Sequence, residues 1–279
     1  MAQVNTTTGT YLSRLFNPEV VADLIETKLT DNMVFAPLAM IDYTLQGQAG
    51  NTVTLPYYTY IGAASSVSEG YDIPIARLNQ STSSVTIVKY GKAVQITDEA
   101  VLSGYGNPIG EATTQITTSI DDAMDNALLA ALAANSASEQ NYSVSTALAP
   151  TDIPLALAKY GEDGDGQKAL LATPDFYAQL IGQPASSNWV PASEIAAEIK
   201  IRGSVGMAYG CQVIITNRLK TSGNLYIVKP KTLAVFIKRG AMVETDRDIL
   251  NQSTVLAGSI LCAPYLLNPK GMIKLTGNA

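Results

Sequence analysis

The sequence predicts an α+β fold in which one long helix supports the other elements, a two-stranded arm projects, and an α/β lobe is inserted before a final run of strands. Three observations carry this. Between residues 107 and 134, Ile109, Ala112, Ile116, Ile120, Met124, Leu128, Ala131 and Leu132 recur at three- and four-residue steps, the spacing of one helical stripe. Two strand-like stretches, GNTVTLPYYTYIG (50–62) and SVTIVKYGKAVQIT (84–97), flank about twenty residues without periodicity. After residue 230 the composition turns to strand formers.

The elements follow in order. Residues 1–15 are polar and Thr-rich and read as an extended arm. Asn17 and Pro18 open a helix predicted to run to Leu29, and Val34 to Ile41 form a buried connection. In the first strand Val53, Leu55 and Tyr57 alternate with Thr52, Thr54 and Pro56, and the proline places the strand at an edge or a bulge. An isolated hairpin is marginal in water, so this arm must lie on something, and another copy of the chain is the simplest support. Asp98 to about Gly104 is a short helix. Asn107 is a good N-cap and Pro108 a good first residue for the long helix, which at 1.5 Å per residue is roughly 40 Å long.

Ser143 to Pro150 reads as a connector. Asp152 then caps a helix through Tyr160, stopped by Gly161. Leu170–Ala172 is a short strand, and Thr173 and Pro174 start a helix ended by Gly182. Ser193 caps a further helix, Glu194 to Arg202, before strands at Val213–Ile215 and Leu225–Val228. Strands at 233–238, 241–245, 255–265 and 272–275 are expected to form one sheet against the long helix.

Composition narrows the function. The chain has 279 residues, 47% hydrophobic and only 15% charged, with a net charge of −6. Such a chain has little charge to solvate its outside, which suits a subunit buried among neighbours. The negative balance argues against a dedicated nucleic-acid binder, whose affinity comes from clustered Lys and Arg. No apolar run approaches the ~18 residues of a membrane span, and the start lacks the features of a signal peptide. Cys211 and Cys262 sit in apolar strands and read as reduced core residues. There is no histidine, which removes the commonest general base and metal ligand, so an enzyme is disfavoured and no catalytic, cofactor or metal residues are assigned.

GEDGDGQ (161–167) resembles the start of a calcium loop but lacks its later ligands, and a solvated turn is the better reading. Asp121 and Asp125 are like charges one turn apart, which repel, so with Asp122 they are expected on an exposed face or against a neighbour's cations. Lys229, Lys231, Lys238 and Arg239 read as a solvated basic rim. GSVGMAYG (203–210) follows a helix and precedes a strand, the wrong order for a dinucleotide fingerprint.

Local sequence then points to a family. LLATPDFYAQL (170–180), RGSVGMAYGCQVIITNRL (202–219) and KRGAMVETDRDILNQSTVLAGSILCAPYLL (238–267) resemble the N4-gp56 family of tailed-bacteriophage major capsid proteins. Together with the element order, this is similar to the HK97-like capsid fold. The resemblance implies an N-terminal arm at 1–30, a first P-domain segment at 31–52 and an E-loop at 53–86. It implies further P-domain with the spine helix at 87–149, an A-domain at 150–230, and a P-domain return sheet at 231–279. It also implies self-assembly through hexamers and pentamers into an icosahedral shell around double-stranded DNA, held by non-specific contacts, in a virion assembled in the host cytoplasm.

Portal and decoration proteins are implied partners. The short N-terminal region leads us to expect a separate scaffolding protein. The stretch from Gly50 to Ser84 holds Arg77 and no lysine, so a non-covalent shell is expected. Glu244 and Arg247, in VETDRDI, are expected to form salt bridges within the P-domain or to a neighbour. Arg77, Lys92, Asp121 and Asp125 complete the expected subunit-interface residues. The alternative function is an encapsulin-like compartment shell; a carboxylate enzyme and a fibre or surface-layer adhesin rank lower.

Overall fold

The computed structural model describes residues 33–58, 60–103, 108–135, 140–182, 189–191, 205–219 and 223–277. The expected N-terminal arm, the helix Pro18–Leu29, the cap at Asn107 and the helix Glu194–Arg202 lie outside these.

A turn at Ala36–Leu38 leads into β1 (Ala39–Asp42), a strand inside what the sequence reading treated as a connection. β2 (Thr52–Tyr58) and β3 (Gln80–Thr86) form the hairpin, and β4 (Val88–Thr97) follows after a break at Ile87. The helices α1 (Asp98–Ser103) and α2 (Pro108–Ala133) come next. The lobe contains β5 (Asn141–Val144), α3 (Asp152–Leu157), β6 (Ala169–Ala172), α4 (Pro174–Ile181), β7 (Trp189–Pro191), β8 (Gly206–Ala208), β9 (Cys211–Ile215) and β10 (Leu225–Val228). A long ribbon, β11 (Leu233–Asp248) and β12 (Ser253–Leu266), precedes β13 (Met272–Gly277).

Two larger sheets organise these strands. One has the order β1-β11-β12-β4, the other β5-β13-β10-β6-β9-β8-β7. The expected return sheet therefore divides. β11 and β12 pair beside β4 under the long helix, but Met272–Gly277 crosses into the lobe and pairs with β10 and β5. The 143–150 connector likewise begins as a strand, because Asn141–Val144 pairs in parallel with β13. Strands buried on both faces carry no polar alternation, so nothing in MIKL separates the two sheets.

The long helix lies on β12 and β4. Ile116, Ile120, Met124, Leu128 and Leu132 are buried beneath it against Val243, Leu256 and Ile260. Each such side chain contributes about 1.5–3 kcal/mol by leaving water. Close approach requires glycine at one point: a Cβ on Gly258 would stand 2.5 Å from Ile116 Cγ2. Thr113 and Thr117 face the same side, and each donates its hydroxyl to the carbonyl four residues back, so neither buries an unmet donor.

The lobe sheet is sandwiched. Ala169, Leu171, Tyr226 and Val228 join the core under the long helix. Leu170, Ala172, Leu225 and Ile227 turn the other way, onto Ile153, Ala156, Phe176 and Leu180 of α3 and α4. α4 starts as its sequence dictates, with the Thr173 hydroxyl accepting from the Phe176 N–H at 3.2 Å. α3 differs from expectation. The Asp152 carboxylate accepts from the Ala149 N–H behind it, and after Leu157 the chain tightens into a 3₁₀ segment in which Gly161 adopts positive φ. Tyr209 and Gly210, both at positive φ, make the two-residue turn between β8 and β9, so Gly206 and Gly210 serve a hairpin.

Candidate assembly surfaces

The β2–β3 hairpin is anchored at its base and bare at its tip. At the base, Leu45, Leu55, Val85 and Ile87 pack on Ala234, Phe236, Ala263 and Tyr265, the face of the first sheet opposite the long helix. The Tyr265 hydroxyl donates to Ser83 Oγ at 2.6 Å, and Lys238 Nζ donates to the Gly50 carbonyl. Pairing stops at Tyr58 and Gln80. Beyond it Tyr60, Ile61, Tyr71, Ile73, Ile75 and Leu78 are all exposed, Ile75 at 99%. Apolar exposure this concentrated marks an interaction surface. Arg77 sits among these residues and is itself exposed.

The far end of the β11–β12 ribbon is a second such place. Asp248 accepts from the Leu250 and Asn251 N–H groups and from the Asn251 side-chain amide, and these bonds hold its carboxyl below the usual range. The rigid turn holds Leu250 out at 95% exposure beside Ile249. α1 is tied to the same end: the Asp98 N–H donates to the Gln252 carbonyl, and Arg247 forks onto Asp98 at 2.5 and 2.6 Å. This brings exposed Leu102 to the same end of the sheet. The Arg247 hydrogen bonds lower the Asp98 pKa and raise that of Arg247. Arg247 thus has its partner within the chain, at a residue the sequence reading did not single out. Glu244 is exposed on β11, and among the described residues it forms no ion pair.

Two expected interface residues are corrected. Asp121 and Asp125 are buried in the subunit, Asp125 completely. Asp125 accepts from the Val34 N–H at 3.1 Å and the Phe35 N–H at 3.3 Å, and Arg218 Nη1 lies 3.4 Å away. Arg218 also grips the exposed Asp122. Burial pushes the Asp125 pKa up, against the Val34 hydrogen bond and the Arg218 charge, which pull it down. The like-charge argument failed because Asp121 and Asp125 lie on the edge of the stripe that holds Leu128 and Leu132. Asp121 stands three residues before Met124 and Asp125 three before Leu128, and that spacing was the available signal.

The basic rim is not one group. Lys229 stands 4.6 Å from the Tyr160 ring centre and donates to the Asp163 carbonyl in the lobe, whereas Lys238 and Arg239 belong to the ribbon, where Arg239 donates to Ser259 Oγ. Glu162 and Asp163 lie in the 3₁₀ segment after α3 and Asp165 just beyond it, and no grouping of three potential metal-ligating side chains occurs among the described residues. Cys211 and Cys262 are buried free thiols, each pushed up to about 12 by burial.

Comparison with known proteins supplies the remaining observation. A family model described as phage capsid protein matches residues 80–275. The major capsid protein of Staphylococcus phage phiMR11 is 31% identical over 259 residues, covering 93% of this chain and 92% of that protein. The capsid structure of cyanophage P-SCSP1u has a similar fold, with a TM-score of 0.69 at 13% identity over 88% of each chain. The virus-like particle from Pyrococcus furiosus gives a TM-score of 0.61 at 13% identity, covering 92% of this chain and 98% of that one. At such identities the two structures share the fold alone.

Proposed function

Taking as premise that this chain belongs to the phage capsid protein family, we propose that its hairpin tip is the limb by which copies clasp one another into an icosahedral shell. The fold is the HK97-like capsid fold, and the chain is a phage major capsid protein, a structural part of the virion. The observation that carries the clasping role is the bare tip beyond Tyr58 and Gln80, whose apolar side chains find no cover among the described residues of their own subunit. A ring contact joins two different patches, so extended parts must cross between subunits. Several weak contacts per subunit then reinforce one another through effective concentration.

In this reading the sheet on the long helix is the P-domain, the seven-stranded lobe the A-domain and the hairpin the E-loop. The subunits form hexamers and pentamers around double-stranded DNA, assembled in the host cytoplasm with a separate scaffolding protein and a portal. Exposed Arg77, Lys92 and Glu244 are interface residues, the shell is non-covalent, and the chain has no catalytic role. The finer N4-gp56 membership rests on the three blocks at 170–180, 202–219 and 238–267.

Replacing residues 60–78 by a two-residue Asn-Gly turn tests the clasp. The expected product is a folded subunit with an unchanged urea midpoint that forms no particles by electron microscopy; normal particles overturn the proposal. A virus-like particle from Pyrococcus furiosus shares this fold, and the encapsulin-like alternative is tested separately. Nuclease-resistant DNA in purified particles supports the phage reading, and packaged enzyme without DNA overturns it.

A further inference from the structure

The turn GEDGDGQ (161–167) holds the only two aspartates of the chain that are followed directly by glycine, Asp163 and Asp165, and no asparagine precedes a glycine. An aspartyl–glycyl junction rearranges without a catalyst when the glycine nitrogen, with no side chain beside it, reaches the aspartate Cγ. Two conditions control this. The nitrogen must swing to the Cβ side of the Cα–C bond, and the peptide must not be tied down.

The fold treats the two junctions differently. Asp163 lies inside the 3₁₀ segment Ala158–Gly164, with ψ at 20°. At that angle the Gly164 nitrogen stands almost opposite Cβ across the Cα–C bond. The Asp163 carbonyl is also gripped by Lys229 Nζ, which stands over the Tyr160 ring. Asp165 lies just past this segment in extended backbone, and its ψ of 162° turns the Gly166 nitrogen to a gauche position beside Cβ. Asp165, Gly166 and Gln167 are exposed, and Asp165 forms no ion pair among the described residues. The Gly166 N–H has no backbone acceptor among the described residues. The Gly166 carbonyl accepts from Lys168 Nζ at 3.3 Å, a bond on the far side of the reacting nitrogen.

We propose that Asp165 is a site of spontaneous covalent modification, at which the main chain reroutes through the aspartate side chain to give isoaspartate. The Gly166 nitrogen bonds to Asp165 Cγ, and the carboxylic-acid OH leaves with the amide proton as water. The resulting succinimide takes up water at the former main-chain carbonyl carbon, whose bond to nitrogen breaks. Mass is conserved and no oxidant or cofactor takes part. The main chain gains one methylene, and the α-carboxylate becomes the side group. The link 165–167 absorbs the extra atom because the next residue is fixed: the Lys168 carbonyl accepts from the Gln212 N–H at 2.8 Å as β6 begins. Asp163 keeps its ordinary linkage, since its peptide must first open from the 3₁₀ segment.

Ageing the full chain in heavy-oxygen water at neutral pH and physiological temperature tests this, with tryptic digestion in ordinary water afterwards. Cleavage after Lys159 and Lys168 isolates residues 160–168, and electron-transfer dissociation tells the two aspartates apart. The expected product is isoaspartate carrying heavy oxygen at 165, about tenfold in excess over 163, a ratio that falls to about two or less in urea, where local protection is lost. Absence of isoaspartate at 165, or an equal rate at 163 in the folded chain, overturns the proposal. So does an unchanged ratio in urea, which assigns the preference to sequence and not to the fold. Asp165→Glu, whose ring closure is slower because the ring is larger, should abolish the labelled product at 165, and its persistence there also overturns the proposal.

Discussion

The unit built from α2 and the β11–β12 ribbon contrasts with the β2–β3 hairpin that projects from it. In the first, the apolar stripe of α2 meets β12 and β4 closely enough that a glycine is required at Gly258. In the second, only the base is buried, and seven large apolar side chains between Tyr60 and Leu78 face solvent. The first region completes its burial by folding; the second is left uncovered in the subunit, and in the proposed reading association covers it. Substitutions in the first should therefore act on the subunit, and those in the second on the particle.

The largest effect on subunit stability is expected at the interior node. Asp125→Ala leaves the Val34 and Phe35 N–H groups without an acceptor and strips Arg218 of its buried partner. A loss of roughly 3–5 kcal/mol follows, measured by urea unfolding. Protonation sharpens this test. The folded-state pKa of Asp125 is raised, so its titration favours the fold at low pH, and that contribution fades as pH rises through the raised value. Wild type should show this acid-side gain and the alanine variant should not.

Gly258→Ala comes next. The new methyl meets Ile116 Cγ2, and overpacking of this kind costs about 1–3 kcal/mol. A stability equal to wild type would show that α2 does not need its close seat on β12. Tyr265→Phe removes the bond to Ser83 at the root of the hairpin and should cost about 1 kcal/mol. It sharpens the contrast further if particle yield falls more than that loss explains, since a loosened root mis-aims the tip. Arg247→Ala is the smallest. Its pair with Asp98 is solvent-exposed, so only a slight fall in melting temperature is expected at neutral pH. Because the Asp98 pKa is lowered in the fold, the difference from wild type should vanish as pH falls through that lowered value. An undiminished difference in acid would assign the effect to something other than this pair.

What was legible in the chain follows from how local each signal is. The stripe from Ile109 to Leu132 named α2, and Thr173-Pro174 with Gly182 marked both ends of α4, because these patterns are set within a few residues. The hairpin was legible from its alternation and its proline, as was its need for support. Its bare apolar tip lies among residues without periodicity, where exposure has no sequence signature. The Arg247–Asp98 and Arg218–Asp125 pairs join residues far apart in the chain, and spacing carries no information about such partners. Asp125 was misplaced because a charge was taken as a solvent marker, whereas this one is buried to bind two backbone donors.

By itself the chain determined its longer elements, its shortage of charge and its family, since these depend on residue type and short-range order. Only the tertiary structure decided which sheet each strand joined, that Met272–Gly277 returns to the lobe, and which apolar residues stay uncovered. The physical reason is that pairing and burial are settled by competition among distant segments for the same strand edges and faces.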